Sequence, residues 1–197
     1  MAEQDLPLTP TLEPTPEGWL PAVLDQFDEF LKDHASCEKK ASGMAMNVAS
    51  HYPDQPKLLA AMVDLAVEEL NHYREVVRLL LARNLAPGPD VKDAYIHALN
   101  HLIRRGSQTF LLDRLLVGAV VERRGAERFG LVAGALHDAS LKSFYRAITL
   151  SEQRHWRLFV DLAADFYPEE TVQTRFRELS EAEAEIMLAQ PALPALH

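Results

Sequence analysis

The sequence predicts an all-α protein, a four-helix bundle with additional short and C-terminal helices. Apolar residues recur at steps of three and four over long stretches, which is the spacing that places them on one face of an α-helix. No segment alternates apolar and polar residues for long enough to indicate a β-strand. Proline, glycine and asparagine separate the long stretches, as expected for short turns between the helices of a bundle.

A proline-rich arm is predicted over residues 1–18. Four prolines lie in residues 5–17, and each fixes φ and removes a backbone donor, so an extended path is expected. The helix-bundle domain is predicted to cover residues 19–190, followed by a short tail over 191–197. A chain of 197 residues with 48% hydrophobic content can build one substantial core.

Helical stretches follow the arm, each bounded by breaker or capping residues, at about 19–49, 55–83, 90–104, 107–129, 138–166 and 168–188. Asp54 is predicted to cap the second helix, with Pro56 in its first turn. The fourth helix is predicted to end before a loop over residues 130–135, which contains two glycines.

Two of these helices contain a Glu-x-x-His pair in the middle of an apolar stripe. The pairs are Glu69 with His72 in the second helix and Glu152 with His155 in the fifth. An unpaired buried charge costs several kcal/mol, so both pairs require compensation, which a metal ion supplies.

Two further helices contain a single glutamate in the apolar stripe. Dinuclear carboxylate sites in bundles combine two Glu-x-x-His helices with one Glu from each of two others. Glu38 and Glu122 take these places, at 31 residues before Glu69 and 30 before Glu152. Glu127 lies off the stripe and only 25 residues before Glu152, so Glu122 is the predicted ligand.

The predicted metal ligands, which are also the predicted catalytic residues, are Glu38, Glu69, His72, Glu122, Glu152 and His155. Four carboxylates and two imidazoles form a hard oxygen and nitrogen ligand set that suits iron or manganese, with iron preferred. One Glu-x-x-His pair alone is common on solvated helix faces. The six positions together favour a dinuclear site over six surface groups.

The composition limits the other functions. With 20 Lys and Arg against 29 Asp and Glu, the net charge of −9 excludes a uniformly basic polyanion binder, so a nucleic-acid partner requires a local basic patch. A single cysteine excludes an intramolecular disulfide and a cysteine-based cluster, which favours a reducing, cytoplasmic location. Neither a secretory signal nor a run of eighteen apolar residues is present, so no membrane partner is expected.

Longer segments around the predicted ligands resemble a known family. They are residues 33–41 (DHASCEKKA), 68–72 (EELNH), 113–129 and 144–155. These segments look like the bacterial tRNA 2-methylthio-N6-isopentenyladenosine hydroxylase family (MiaE-type), a branch of the ferritin-like non-haem diiron enzymes. The resemblance covers roughly residues 20–190.

This resemblance implies an O2-dependent monooxygenase that hydroxylates the isopentenyl group of a modified adenosine beside the tRNA anticodon. The implied cofactors are two Fe ions, with O2 as co-substrate and electrons from an external donor. The implied partners are a tRNA substrate and an electron-transfer protein or reductase. In this family the carboxylates would bridge the two irons, and each histidine would anchor one of them.

Two other functions stay open. One is a diiron oxygenase that acts on a small molecule, which the acidic charge favours. The other is a ferritin-like protein for iron oxidation and storage, which would require a cage of many subunits. A peroxide-scavenging protein of the rubrerythrin type would need a cysteine-rich module, which a single cysteine excludes.

Several cationic residues have two interpretations. They either form a basic surface for tRNA phosphates or make ordinary ion pairs at helix ends. The arginines in this group are Arg104, Arg105, Arg123, Arg124 and Arg128, and Lys39 and Lys40 beside Glu38 leave the same choice.

The remaining candidate groups are assigned by position. His34 lies one turn before Glu38, where a hydrogen bond can orient a ligand. Cys37, Tyr145 and Phe159 are predicted to pack rather than to react. Surface or loop positions are predicted for the other histidines, His51, His97, His101, His137 and His197.

Overall fold

The computed structural model describes residues 9–197, and within this range the chain forms seven α-helices and no β-strand. The helices are α1 (Trp19–Asp25), α2 (Phe27–His51), α3 (Pro56–Ala82), α4 (Ala94–His101), α5 (Phe110–Ala135), α6 (Ala139–Phe166) and α7 (Glu169–Leu188). The predicted all-α class is therefore confirmed. Residues 1–8 of the predicted arm lie outside the described residues.

The first predicted helix is in fact two helices, α1 and α2. Gln26 between them has φ −123° and ψ 49°, which is outside the helical region. No proline or glycine marks this break in the sequence. Trp19 of α1 packs edge-on against Phe30 of α2, with ring centroids 6.2 Å apart, and both side chains are buried. The break therefore allows the buried side of α1 to pack against α2.

One predicted helix cap and two predicted helix limits differ from the structure. α3 begins at Pro56 without a side-chain cap, so Asp54 does not cap it. α4 begins only at Ala94, because the Asp93 carboxylate accepts a hydrogen bond from the backbone N–H of Ile96. α5 continues through the predicted loop and ends at Ala135. Val132 and Ala133 in this segment are buried, and their packing outweighs the low helix propensity of the two glycines there.

The chain divides into two compact units, which are described separately. One unit contains Glu17–Val91 and Ala192–Leu196. Within it α2 and α3 pack along each other, and Ser42 Oγ donates to the carbonyl oxygen of Ala66 at 2.8 Å. The tail segment is held in this unit, because the indole N–H of Trp19 donates to the carbonyl oxygen of Ala195 at 2.9 Å.

The other unit contains residues 9–16, Lys92–Pro191 and His197. α5 and α6 pack along each other, and α7 packs against α5. Asp138 caps α6 by accepting hydrogen bonds from the backbone N–H groups of Ser140 and Leu141. The predicted single domain over residues 19–190 stays a prediction. None of the helices in residues 9–197 has the length and apolar character needed to span a bilayer.

Candidate metal centre

Three predicted ligands converge in the α2–α3 unit, and they are called the first half-site: Glu38, Glu69 and His72. Glu38 and Glu69 are 4% and 1% exposed. His72 Nδ1 lies 3.1 Å from Glu69 Oε2 and 3.6 Å from Glu38 Oε2. One ligand atom from each of the three residues lies within 4.8 Å of the others, a spacing that could hold a metal ion.

His34 supports the first half-site from one turn below Glu38. Its side chain is fully buried, and Nε2–H donates to Glu38 Oε1 at 2.6 Å. Phe30 packs against the imidazole with ring centroids 6.1 Å apart. The predicted contact between His34 and a ligand is therefore present, and it fixes the direction of the Glu38 carboxylate.

Electrostatics in the first half-site favours a charged carboxylate beside a protonated imidazole. Burial on its own raises the pKa of Glu38, but hydrogen bonds with His34 and His72 outweigh it and hold the pKa well below its usual range. Burial lowers the pKa of His72, but the hydrogen bonds with Glu38 and Glu69 outweigh it and raise the pKa to about 10. In the metal-free chain, a proton on His72 therefore supplies the positive charge that a metal ion would otherwise supply.

The other three predicted ligands form the second half-site in the α5–α6 unit: Glu122, Glu152 and His155. They are 7%, 3% and 3% exposed. His155 Nδ1 lies 3.5 Å from Glu152 Oε2, and one ligand atom from each residue lies within 4.8 Å of the others. The predicted stripe of α6 is buried on both sides of the pair, at Tyr145, Ile148 and Phe159. Tyr145 and Phe159 pack in the core, as predicted.

Glu127 has a different role, which is to hold the N-terminal arm. Its two carboxylate oxygens accept hydrogen bonds from the backbone N–H of Thr15 at 2.8 Å and from Thr15 Oγ1 at 2.6 Å. Arg124 donates to Glu127 at 2.6 Å as well. Glu122, and not Glu127, is thus the α5 glutamate that the structure brings to Glu152 and His155.

Two of the five arginines considered for a tRNA-binding surface are buried, so that interpretation is wrong for them. Arg124 is 0% exposed and forms two hydrogen bonds of 2.8 Å with the carboxylate of Glu183. Arg128 is 4% exposed and donates to Thr15 Oγ1 at 3.2 Å, and burial lowers its pKa to about 10. Both are structural groups of the α5–α7 region.

Most of the remaining cationic candidates make local contacts. Arg104 binds Asp113 at 2.7 Å, and Arg123 donates to the backbone of the arm at Pro10. Arg105 is exposed. Lys39 forms an ion pair with Asp90 at 2.8 Å, and Lys40 donates a hydrogen bond to the carbonyl oxygen of Val91. Both contacts join the segment before α4 to α2, which favours the ion-pair interpretation for these two lysines.

Two residues with buried side chains outside the candidate metal site were not predicted: His197 was expected at the surface or in a loop, and Glu183 was not considered. His197, predicted at the surface or in a loop, has a side chain that is 5% exposed and stacks on Tyr95 with ring centroids 4.8 Å apart. Glu183 is 1% exposed and also accepts a hydrogen bond from the Tyr95 hydroxyl at 2.9 Å. A sequence signal for Glu183 exists, because it interrupts the apolar stripe of α7 at Val172, Phe176, Leu179 and Met187.

The helical fold of residues 9–197, with buried Glu and His groups in both helix pairs, defines the class, which is a ferritin-like fold of the diiron oxygenase type. A solved structure supports this class: it is described as "Protein 43 with aldehyde deformylating oxygenase activity from Synechococcus" and matches with a TM-score of 0.87 and 34% identity. The match covers 92% of this chain and 90% of that chain. The predicted ferritin-like fold is therefore confirmed.

The particular family follows from the sequence. A family model described as tRNA-(MS[2]IO[6]A)-hydroxylase (MiaE) matches residues 8–197, and the chain belongs to this family. A tRNA 2-(methylsulfanyl)-N(6)-isopentenyladenosine(37) hydroxylase from Pseudomonas putida is 33% identical over 174 residues, which cover 88% of this chain and 84% of the relative. The enzyme of the same name from Salmonella typhimurium is 26% identical over 225 residues, with coverages of 89% and 83%. The predicted family resemblance is confirmed.

Proposed function

We propose that this protein is an O2-dependent diiron monooxygenase that hydroxylates the isopentenyl group of 2-methylthio-N6-isopentenyladenosine in tRNA. The observation that supports this most strongly is the match of the hydroxylase family over residues 8–197. The relatives from Pseudomonas putida and Salmonella typhimurium are named for this substrate. The buried carboxylates and imidazoles in both helix pairs supply the ligand types that such an oxygenase requires.

The proposed cofactor is a pair of iron ions, and the proposed ligands are Glu38, Glu69, His72, Glu122, Glu152 and His155. The donor chemistry fits, because four carboxylates and two imidazoles are hard oxygen and nitrogen donors. The carboxylates are between 1% and 7% exposed, so their negative charge requires nearby positive charge. When bound in the ferrous state, the two irons would supply the chemistry that activates O2.

The protein's own residues have three tasks in this proposal. His34 orients the Glu38 carboxylate through its 2.6 Å hydrogen bond. Ile148 and Phe159 lie one turn before Glu152 and one turn after His155 in the buried stripe of α6, so apolar side chains flank the second half-site along this helix. His72 releases its proton when a metal ion replaces that charge, so metal binding is coupled to proton release.

The overall reaction adds one oxygen atom to an allylic C–H group: RH + O2 + 2 e⁻ + 2 H⁺ → ROH + H2O. Two electrons must therefore come from an external donor, for which we propose an electron-transfer protein or a reductase. A tRNA substrate also implies that the protein works in the cytoplasm.

The direct test uses the purified protein loaded with ferrous iron, an electron donor, O2 and tRNA from cells that lack the hydroxylation. Mass spectrometry of the digested nucleosides should show a product one oxygen atom heavier than 2-methylthio-N6-isopentenyladenosine. His155→Ala should give none of this product, whereas the exposed-site variant His137→Ala should match the wild type. Unchanged tRNA with iron-loaded wild-type protein would contradict the proposal.

A second candidate is an oxygenase that acts on a small aldehyde. The similarity to the Synechococcus structure with aldehyde deformylating oxygenase activity favours it, since that chain is 34% identical over 92% of this one. Incubation of the iron-loaded protein with a free aldehyde distinguishes the two candidates. Formate release from the aldehyde, together with unchanged tRNA, would favour the aldehyde over the tRNA substrate.

A further inference from the structure

Two histidines, His97 and His101, lie one turn apart on the exposed side of α4. Residues four apart on a helix are neighbours on its surface, and here the two imidazole ring centroids are 4.3 Å apart. The opposite side of α4 is buried at Tyr95 and Leu99, which are 1% and 0% exposed. The histidine pair therefore takes no part in the packing of the helix and is open to solvent.

The helix backbone that carries the pair is held in place. The Asp93 carboxylate caps α4 by accepting a hydrogen bond from the backbone N–H of Ile96. The Asp93 carbonyl oxygen accepts another from the backbone N–H of His97 at 3.0 Å. On the buried side, the Tyr95 hydroxyl donates to Glu183 at 2.9 Å. Since these contacts fix the helix, rotation of the two exposed side chains is enough to direct both imidazoles at one ligand.

The hydrogen bond of His101 determines which of its ring nitrogens is available to a ligand. Its Nδ1 lies 2.8 Å from the carbonyl oxygen of His97. A carbonyl oxygen only accepts, so Nδ1 carries the hydrogen and Nε2 of the neutral ring keeps a lone pair. Histidines that bind metals commonly donate their other N–H in this way, which fixes the tautomer. Among residues 9–197, the two imidazoles have no further hydrogen-bond or ion-pair partner.

The spacing of the two rings fits a divalent ion that prefers nitrogen donors. Zinc–nitrogen bonds of about 2.0–2.1 Å place two histidine nitrogens no more than about 4.2 Å apart. Rings whose centroids are 4.3 Å apart reach this spacing by side-chain rotation. Imidazole suits zinc, copper and nickel, whereas magnesium prefers oxygen donors. Arg104, the nearest cation in the sequence, is paired with Asp113 at 2.7 Å, which reduces its repulsion of an incoming ion.

We propose that His97 and His101 form a surface site for one divalent transition-metal ion of the zinc and copper class, separate from the six proposed iron ligands. His101 binds the ion through Nε2, and His97 supplies the second nitrogen. Water fills the remaining positions, because two protein ligands leave the coordination of the ion incomplete. An ion bound across one helical turn also reinforces α4, since a helix of eight residues is marginal on its own.

The test is a calorimetric titration of the full-length, iron-loaded protein with Zn²⁺. The wild type should bind one Zn²⁺ at the pair, and His97→Ala and His101→Ala should each lose this binding event. Titration with Mg²⁺ should show no such event. Long-range ¹H–¹⁵N NMR spectra should show a Zn²⁺-dependent shift of His101 Nε2, while Nδ1 keeps its hydrogen. Iron content and circular dichroism should be the same in all variants.

His51 at the end of α2 provides a matched control. It is exposed like His101, and its Nδ1 lies 2.7 Å from the carbonyl oxygen of Asn47, the residue one turn before it. Because that residue is an asparagine, this turn of α2 offers a single imidazole. His51→Ala should therefore bind Zn²⁺ like the wild type. Asn47→His places a second imidazole one turn before His51 and should add a second Zn²⁺ binding event.

Three results would overturn the site. Wild-type Zn²⁺ binding in both His97→Ala and His101→Ala would show that the ion binds elsewhere. Loss of the event in only one of these two variants would show an adventitious ion on a single histidine. Zn²⁺ binding that appears in Asn47→His but not in the wild type would show that the pair in α4 does not close on an ion.

Discussion

The two half-sites have the same ligand pattern but different supporting residues. In α2, His34 lies four residues before Glu38, fully buried and hydrogen-bonded to it at 2.6 Å. In α5 the same register position, four residues before Glu122, is occupied by Gly118. A Cβ atom at Gly118 would lie only 3.1 Å from the ring of Phe159, which is 0% exposed.

The two helix pairs therefore share the positions of the predicted ligands but not the groups that support them. A polar group supports the carboxylate in the first half-site, whereas aromatic packing fills the corresponding space in the second. The second half-site has its own polar anchor, the ion pair of Arg124 with Glu183, which joins α5 to α7 two residues after Glu122. The half-sites should therefore respond differently to mutation.

The largest expected effect comes from the anchor of the second half-site. Arg124→Met leaves the Glu183 carboxylate buried without its cation, which should cost about 3–5 kcal/mol of the free energy of unfolding. Chemical denaturation monitored by circular dichroism measures this loss. Arg78→Met, which removes an exposed pair with Glu75, should cost no more than about 1 kcal/mol. Equal losses in the two variants would mean that Arg124 does not anchor α5.

The next effect tests the packing of Gly118 against Phe159. Gly118→Ala should destabilise the protein, because overpacking costs about 1–3 kcal/mol and a fully buried ring has little room to move. Gly43→Ala in α2 is the matched control, since apart from its own stretch of helix no atom of residues 9–197 lies within 4 Å of its added Cβ. The control should stabilise the protein by about 0.5–1 kcal/mol through helix propensity. Stabilisation by both variants would contradict the close contact.

A third prediction concerns the polar support of the first half-site. His34→Leu removes the hydrogen bond to Glu38 and should weaken binding of one iron by about 10–100-fold, while the other binds as in the wild type. Anaerobic ferrous titration followed by calorimetry resolves the two events. The exposed His137→Leu should leave both unchanged. Equal weakening of both irons would show that His34 does not act on one half-site.

A fourth prediction concerns the pH dependence of the metal-free protein. The pKa of His72 rises from its ordinary value of 6.5 to about 10 on folding. Its contribution to stability is therefore complete below about pH 6.5 and is lost as the pH rises through about 10. Unfolding of metal-free wild type between pH 6.5 and 10 should show this decline, and His72→Gln should lack it. A wild-type profile identical to that of His72→Gln would contradict the shift.

Much of the fold and of the composition of the two half-sites could be predicted from the sequence because both follow from helical periodicity. Pro56 and Asp138 mark helix starts, and the six predicted ligands interrupt apolar stripes. The break at Gln26 and the continuation of α5 through Gly130 depend on tertiary packing, which no local residue type indicates.

The supporting residues were harder to predict than the ligands. Arg124 was considered as a surface group because its partner Glu183 lies 59 residues away in the chain, and only the packing of α5 against α7 brings them together. Glu183 interrupts a stripe just as the ligands do, so periodicity identifies buried charges but not their partners.

The central claim is the proposal that Glu38, Glu69, His72, Glu122, Glu152 and His155 are the ligands of two irons, and the iron content of purified variants tests it most directly. The wild type should bind two ferrous ions per chain, and Glu69→Ala and His155→Ala should each lose this two-iron binding. Glu127→Gln, whose side chain holds the arm, should retain both ions. Two irons bound with wild-type affinity in both Glu69→Ala and His155→Ala would contradict the proposed centre.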